Sequence, residues 1–587
     1  MVNEFYTNER NVQILIYLLK SHGIKKIISS PGTTNITFAV SMRHDPFFEI
    51  YSAPDERSAA YMACGLSAES GEPVVLTCTG ATASRNYMPG LTEAYYRKLP
   101  ILAVTSTQRS CVVGHGWAQV IDRSQLPHDI ALCSVQLPSV LDSIGEWGCA
   151  IDANRAILEL KHRGGGPVHI NLETNYSRDF SIREIPPAPV IHRHTVEDEW
   201  PDFPDKGKIA IFVGAHLPWS KSAVEAINAF CASHDAVVFC DQTSNYWGKY
   251  RCDYALVGAQ EQFNSTNTQA DLLIHIGEIS GSSDLGVIAK SAEVWRVSPD
   301  GRIQDTFKKL SRVFEMREEI FFRRYSEKKR SVLNGRYLTL CQDNLSLIRD
   351  RVAELDLPLS NLYIAREISP LLPENSILHL GILNSLRSWD LLGKCKIGAG
   401  FSNTGGFGID GSLSSLLGGA LASPEVLHFC VLGDLAFFYD MNALGNRHVG
   451  KNLRILLINN GNGTEFRNYN HPGAAFKGSV AGDMVAADGH YGRKSSVLVK
   501  HYAEDLGFEY FQAKDKESFN TQITKFTQMG NIKKSIIFEV FTDSEDESDA
   551  LFKIRNAVEP NMKGLRDVAK RILPANLRNV IAQIINQ

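Results

Sequence analysis

Short apolar runs alternate with helical patterns along the first 180 residues. Residues 11–20 repeat apolar positions at helical spacing, and an apolar run follows at 24–29. Runs of the same kind predict further buried strands at 48–52, 73–78, 101–105 and 168–172. Strands that alternate with helices in this way are typical of a doubly wound parallel sheet.

The same alternation returns twice after a proline-rich linker at 186–205. Strands are predicted first at 208–213, 236–240, 272–276 and 293–297, and then at 377–380, 426–432, 455–458 and 536–541. We therefore predict an α/β chain of three doubly wound parallel-sheet domains, at residues 1–185, 186–335 and 355–545. The second domain lacks the Gly-x-Gly-x-x-Gly fingerprint, so a nucleotide site there stays an open question.

The last predicted segment, 546–587, begins acidic and continues as a basic amphipathic helical tail. Its apolar positions follow helical spacing on either side of Pro574, and five basic residues accompany a single acid, Asp567. Docking on the protein's own surface is one interpretation. Contact with an anionic membrane surface or with a partner protein is the other.

Composition narrows the class of protein. Charged residues make up 21% of the chain and the formal net charge is −4, which gives no nucleic-acid signature. The 11 cysteines include no Cys-x-x-Cys pair, and they are interpreted as reduced thiols. The N-terminus has no apolar signal-peptide core, so we expect a cytoplasmic protein.

Two polar breaks fall where neighbouring strands of the third domain end. Gly433 and Asp434 follow the run 426–432, and Asn460 follows the next run, 26 positions after Asp434. The first break leads into a helical pattern that continues as far as Leu444. One carboxylate and one amide oxygen at this edge, beside a helix start, suit a Mg²⁺–diphosphate group. The alternative is a pair of ordinary strand-end turns.

The pattern resembles the signature of thiamine diphosphate enzymes, a Gly-Asp pair followed by Asn-Asn. Leu435 stands where many members have a second glycine. The resemblance implies a glutamate in another domain, whose carboxylate hydrogen-bonds the cofactor's aminopyrimidine ring and activates its C2 carbon. Glu56 fits, in the first turn of a helix that Asp55 can cap. Taken alone, Glu56 is also explained as an acid that favours the helix dipole.

The wider resemblance is to the thiamine diphosphate-dependent 2-oxo acid decarboxylases and carboligases. Within them the chain is most similar to the menaquinone-pathway 2-succinyl-5-enolpyruvyl-6-hydroxy-3-cyclohexene-1-carboxylate synthases. The matching motifs are Ser-Pro-Gly at 30–32, residues 54–105, Gln-Val-Ile-Asp at 119–122, Gly-Pro-Val-His-Ile-Asn at 166–171, Gly-Ile-Asp-Gly at 408–411 and the segment 433–444. The three domains would then be a pyrimidine-binding domain, a middle Rossmann-like domain and a diphosphate-binding domain.

The resemblance also implies site residues. Mg²⁺ ligands would be Asp434, Asn460 and the backbone oxygen of Asn462. Ile409 would hold the cofactor in its bent form, and Gln119 would lie beside the reacting carbon. Further cofactor-binding positions would be Pro31, Gly32, Asn384, Ser385, Gly408, Gly433, Leu435, Ala436 and Phe466. Each site would lie between two subunits, which implies a homodimer or homotetramer.

Four substrate-binding arginines expected from the resemblance are replaced by other residues. Their positions hold Thr34, Val113, Trp389 and Thr404, and Arg387 lies two residues from one of them. Guanidinium groups suit carboxylates, so their loss predicts a different donor, acceptor or both. Trp389 and Phe407 are expected to add apolar bulk to the pocket.

Two polar residues could supply a proton relay instead. His115 lies in the polar loop that faces the cofactor in relatives, and Glu465 lies three residues after Asn462. Either could transfer protons near neutral pH, as catalysis of this kind requires. The alternatives are a surface histidine and a solvated acid.

Three functions follow as hypotheses. The first is decarboxylation of a 2-oxo acid, followed by addition of the acyl carbanion to a carbonyl or alkene acceptor. The second stops at protonation and releases an aldehyde. The third is a catalytically idle, cofactor-binding scaffold, which the intact Glu56, Asp434 and Asn460 disfavour.

Overall fold

The computed structural model describes residues 5–205, 207–282, 284–290, 292–328, 335–529 and 533–558. The chain divides into two compact units. The first comprises Met1–Trp200 and Asp300–Glu315, and the second holds the rest. The predicted middle domain, 186–335, is therefore shared between the units.

The first unit is built on a six-stranded parallel sheet. Its strands, in spatial order, are Glu49–Ser52, Lys26–Ser29, Val74–Thr79, Ile101–Thr107, Val168–Glu173 and Ser134–Leu137. Its helices are Arg10–Ser21, Ile36–Arg43, Glu56–Ser70, Ala81–Asn86, Met88–Arg97 and Ser143–Glu159. The predicted linker contains a short strand, His192–His194, which pairs in parallel with Leu310–Glu315.

The second unit contains two parallel sheets. Five strands of the middle sheet run in the order Arg251–Cys252, Ala236–Cys240, Ile209–Val213, Leu272–Ile276 and Glu293–Ser298. The third sheet has the order Ala399–Phe401, Ile377–Leu380, His428–Gly433, Leu453–Asn459, Ile536–Phe541 and Glu509–Ala513. Its long central strands are buried along most of their length, as continuous apolar runs predict. The expectation of parallel α/β sheets is confirmed.

Eleven helices accompany these sheets within the described residues. They are Lys221–His234, Ala255–Gly258, Glu318–Ser326, Tyr337–Ala353, Asn361–Ile368, Asn384–Leu392, Ser412–Ala422, Asp434–Asp440, Leu498–Asp505, Lys516–Thr527 and Ser544–Arg555. No helix in the described ranges is long and apolar enough to cross a membrane.

Two sequence expectations about helices are corrected. The helix that begins at Asp434 ends at Asp440 and gives way to a 3-10 turn, Met441–Gly445, instead of continuing to Leu444. The boundary predicted at residue 545 falls inside the helix Ser544–Arg555, whose buried residues include Glu547 and Ile554. The predicted basic tail helix, with Pro574, lies outside the described residues.

Candidate active site

Asp434 and Asn460 follow the ends of two neighbouring strands. Gly433 is in register with Ile458, so both strands finish at the same edge of the third sheet. Asp434 is only 3% exposed, and Asn460 is also buried. The structure thus brings together the two residues that the sequence predicts as a site, at the carboxyl edge where parallel sheets bind ligands.

The Asp434 carboxyl group is buried without enough compensating charge. Burial raises its pKa to about 7, although backbone N–H groups of Leu435, Asp434 itself and Gly461 act in the opposite direction. The guanidinium of Arg493 also lowers the pKa. A buried carboxylate of this kind is suited to a bound cation.

Few protein groups surround this carboxylate. Within the described ranges, no three His, Cys, Asp or Glu side chains cluster as a metal site. A cation beside Asp434 would therefore be held by one carboxylate together with amide and carbonyl oxygens. Mg²⁺ fits that donor set, since it keeps waters and binds substrate phosphates in addition to one or two carboxylates.

Hydrogen bonds shape the loop that follows Asn460. The Asn462 N–H donates to Asn460 Oδ1 at 3.4 Å. The Asn462 side-chain oxygen accepts hydroxyl hydrogen bonds from Thr464, at 3.1 Å, and from Ser544, at 2.8 Å. Its backbone oxygen accepts the N–H of Thr464 at 3.0 Å, and a carbonyl has a second lone pair for another partner. Of the two Asn462 oxygens, the backbone one is therefore better placed to bind an ion.

Asn384 begins a helix at the end of the adjacent strand, Ile377–Leu380. The preceding residue, Leu383, has a left-handed φ of 64°, a costly conformation for a branched side chain. Ser385 is buried, and the Asn384 side-chain oxygen accepts a hydrogen bond from Asn468 at 3.1 Å. This contact connects the helix start to the loop after Asn460.

Gly408 and Ile409 lie just before the helix Ser412–Ala422. Ile409 packs against the apolar cluster that includes Leu413 and Phe437. The Asp440 carboxylate accepts the Ser414 N–H at 2.6 Å and the Ser414 hydroxyl at 2.7 Å. These hydrogen bonds connect the helix that follows Ile409 to the helix that carries Asp434, Leu435 and Ala436.

Glu56 occupies the predicted position in the first unit. Asp55 caps the helix by accepting the Ser58 N–H at 2.8 Å, and Glu56 is half-buried in the first turn. Gly32 follows the strand Lys26–Ser29 of the same unit, and a Cβ there would lie 2.0 Å from Thr79 Cγ2, so a larger residue would require the Thr79 side chain to move.

Comparison with known proteins identifies the class. Residues 10–126 match the family model described as thiamine pyrophosphate enzyme, N-terminal TPP binding domain. The 2-succinyl-5-enolpyruvyl-6-hydroxy-3-cyclohexene-1-carboxylate synthase of Phocaeicola vulgatus is 30% identical over 568 residues, covering 93% of this chain and 98% of the relative. The chain belongs to the thiamine diphosphate-dependent enzymes. The synthase of the same name from Bacteroides fragilis is 29% identical over 565 residues, again covering 93% and 98%.

Other predicted site residues of this thiamine diphosphate-dependent enzyme are less enclosed. His115 and Gln119 are exposed in a loop of the first unit, and Gln119 has a left-handed φ of 61°. Pro31 is also exposed. In the second unit Phe466 is exposed and its ring lies edge-on to His471 at 5.3 Å between centroids. Their roles in the enzyme stay predictions.

Three of the four residues in place of the expected arginines are buried in the fold. Thr34 is buried, and its hydroxyl donates to the Ser106 carbonyl at 2.8 Å. Thr404 is buried as well. Trp389 is fully buried, with its backbone oxygen accepting from Gln242 at 3.2 Å. The expectation that Trp389 adds bulk to the pocket is therefore wrong, because the ring packs in the core.

Two features of the site could not be predicted from the sequence. Arg493 packs over Gly461, where a Cβ would lie 2.3 Å from its Nε, and Tyr491 stacks on Phe438 at 4.8 Å between centroids. Both residues lie in an irregular polar segment with no periodic signal. The second feature is an ion pair between Arg387 and Glu465, which are 78 positions apart.

Proposed function

We propose that this enzyme uses thiamine diphosphate and Mg²⁺ to decarboxylate a 2-oxo acid. It then transfers the remaining acyl group to a carbonyl or activated-alkene acceptor, with formation of a carbon–carbon bond. The observation that carries this proposal is the buried Asp434 carboxyl group beside Asn460, in a chain that also places Glu56 in the first turn of a helix.

Each group has a defined task in this proposal. Asp434, the Asn460 side chain and the Asn462 backbone oxygen would hold Mg²⁺. Asn384 and Ser385 would bind the diphosphate. Thiamine diphosphate, when bound, supplies the nucleophilic carbon. Glu56 would share a proton with the aminopyrimidine ring and so favour the tautomer that acts as a base.

The donor and acceptor are inferred to differ from those named in the relatives. The relatives are named as synthases of a 2-succinyl cyclohexene carboxylate. This chain has Thr34, Val113, Trp389 and Thr404 at the four positions where the resemblance implies arginines. We expect a 2-oxo acid with a small or neutral side chain, because carboxylates need such cations.

The test is release of CO₂ from a panel of 2-oxo acids, each with and without an acceptor aldehyde. The expected result is a coupled product in the presence of the acceptor. Release of free aldehyde under both conditions would establish the simpler decarboxylase instead. No CO₂ from any donor would overturn the proposal.

We also propose a cytoplasmic homodimer or homotetramer with sites formed between subunits. Supporting it, the helix that carries Glu56 exposes Tyr61 and Met62, and the second unit exposes Val480 and Met484. Mixing two inactive variants, Glu56→Gln and Asp434→Ala, tests the arrangement. If the two variants exchange subunits at random and each site draws one half from each subunit, the mixed dimers should restore about a quarter of wild-type activity. No recovery after proven exchange would contradict it.

A further inference from the structure

Arg387 and Glu465 form an ion pair next to the loop that follows Asn460. Arg387 lies three residues after Asn384 on the helix Asn384–Leu392, and Glu465 is the second residue of the 3-10 turn Thr464–Arg467 after Asn462. Arg387 Nη1 donates to Glu465 Oε1. The arginine side chain is 32% exposed and the glutamate 14%, so the pair is partly shielded from water.

We infer that Glu465 is a specificity-determining residue that occupies Arg387 and thereby excludes donors with a second carboxylate. This inference deepens the proposed function and rests on it. The substrate class that fits is a 2-oxo monocarboxylic acid whose side chain is neutral.

Arg387 and Glu465 line a small cavity together with other residues of the candidate active site. The cavity has a volume of about 60 Å³, and Asn384 and Asn468 contribute to its wall. A cavity of that size admits only a small group, and Arg387 and Glu465 both belong to its wall.

Among the described residues that line this cavity, the other charges leave no cation without an acidic partner. Arg555 also lines it, but its guanidinium donates to Asp284 at 3.0 Å. Glu547 adds a carboxyl group, which accepts the N–H of Asn361 at 3.0 Å. Each lining arginine already faces an acid, so an additional carboxylate would be buried without a partner, which is costly.

The contact between Arg387 and Glu465 does not use all of their hydrogen-bonding groups. Arg387 Nε and Glu465 Oε2 are buried, and neither has a hydrogen-bond partner among the described residues. One donor and one acceptor side by side suit a neutral group that both accepts and donates, such as a hydroxyl or a water molecule. They do not suit a third ion.

Removal of the Glu465 charge should weaken this selectivity. Glu465→Gln keeps the side-chain shape but leaves Arg387 without a counter-ion, and a second substrate carboxylate would then supply one. We expect kcat/KM for 2-oxoglutarate, relative to pyruvate, to rise at least about tenfold, which corresponds to about 1.4 kcal/mol. The double variant Arg387→Gln/Glu465→Gln should return to the wild-type ratio.

The matched control is Glu547→Gln, which removes an acid from the same cavity without touching the ion pair. Its ratio should change far less than that of Glu465→Gln. An unchanged ratio in Glu465→Gln, with thiamine diphosphate binding retained, would overturn the inference. So would a gain that persists in the double variant, because it would not depend on Arg387.

A binding measurement keeps this inference separate from the proposed function. Calorimetry on the holoenzyme with glutarate and butyrate, which have no oxo group to react, reports on the ion pair even if no donor is turned over. Glu465→Gln should bind glutarate about tenfold more tightly than the wild type, and only while Arg387 is present. Equal glutarate affinity in both proteins would contradict the inference, whereas absent CO₂ release would contradict only the proposed function.

Discussion

Asn468 donates a side-chain hydrogen bond to Asn384 across 3.1 Å. The bond joins the helix start that follows one strand of the third sheet to the loop that follows another. Asn384 is predicted to contact the diphosphate, and the bond lets Asn468 orient the Asn384 amide without being a predicted ligand itself.

Asn468→Ala should therefore weaken cofactor binding without unfolding the protein. A neutral hydrogen bond contributes about 1 kcal/mol, so we expect thiamine diphosphate affinity to fall about fivefold. Titration of the apoprotein with thiamine diphosphate at fixed Mg²⁺ measures it. Asn264→Ala is the control, since Asn264 is exposed and bonds only within its own turn. Equal affinity for wild type and Asn468→Ala would show that Asn384 is oriented by other contacts.

Strands inside the third sheet were predictable because they are buried on both faces. Residues 377–380 and 536–541 were expected as strands and occur as Ile377–Leu380 and Ile536–Phe541. The edge strand Glu509–Ala513 was missed, because it is only partly buried and its sequence has no continuous apolar run.

The errors within the site have long-range causes. The helix from Asp434 stops at Asp440, whose carboxylate is taken by Ser414, and periodicity along the chain cannot reveal such a contact. The same limit applies to Arg387 and Glu465, since neither position shows on its own that it has an ionic partner. Motifs predicted that Asp434 and Asn460 lie at neighbouring strand ends, as they do in the structure, because a parallel sheet brings consecutive strand ends to one edge.

Glu56→Gln is expected to abolish catalysis while the fold survives. Glutamine keeps the shape of the side chain but loses the carboxylate that shares a proton with the cofactor. Hydrogen–deuterium exchange at the cofactor's C2 carbon should slow by orders of magnitude, with an unchanged melting temperature. Exchange at the wild-type rate would remove Glu56 from its assigned role.

Asp434→Ala should abolish the dependence of cofactor retention on Mg²⁺. The substitution removes the one carboxylate assigned to the divalent ion, so we expect thiamine diphosphate affinity with Mg²⁺ to drop at least about tenfold. The measurement compares affinity with Mg²⁺ and with EDTA for both proteins. If EDTA still weakens binding to the variant as strongly as to the wild type, the metal lies elsewhere.

Glu547 should make stability depend on pH. Burial raises its pKa to about 7, against hydrogen bonds from Asn361 and Thr542. Between its ordinary value of 4.5 and about 7 the native state keeps a proton that the unfolded chain releases. This group's contribution to the free energy of unfolding therefore falls as pH rises through that window, by roughly 3 kcal/mol at most.

Glu547→Gln should remove this component. Urea unfolding at pH 5 and pH 8 should show a smaller loss of stability with rising pH for Glu547→Gln than for the wild type. Glu545→Gln is the control, because Glu545 is exposed on the same helix. Parallel pH profiles for the wild type and Glu547→Gln would mean that the carboxyl group is ionised in the native state throughout the range.

The wild-type enzyme should prefer pyruvate to 2-oxoglutarate as donor. The Thr34 hydroxyl already donates a hydrogen bond to the Ser106 carbonyl, and Arg387 is already paired with Glu465. The second carboxylate of 2-oxoglutarate would therefore lack a bidentate partner. Loss of one such pair costs about 2–3 kcal/mol, or roughly a hundredfold in kcat/KM. The measurement compares both donors, each with isochorismate and with a simple aldehyde as acceptor. Efficient coupling of 2-oxoglutarate to isochorismate would show that Arg109 or another basic residue binds the distal carboxylate, and the preference derived from the missing arginines would be wrong.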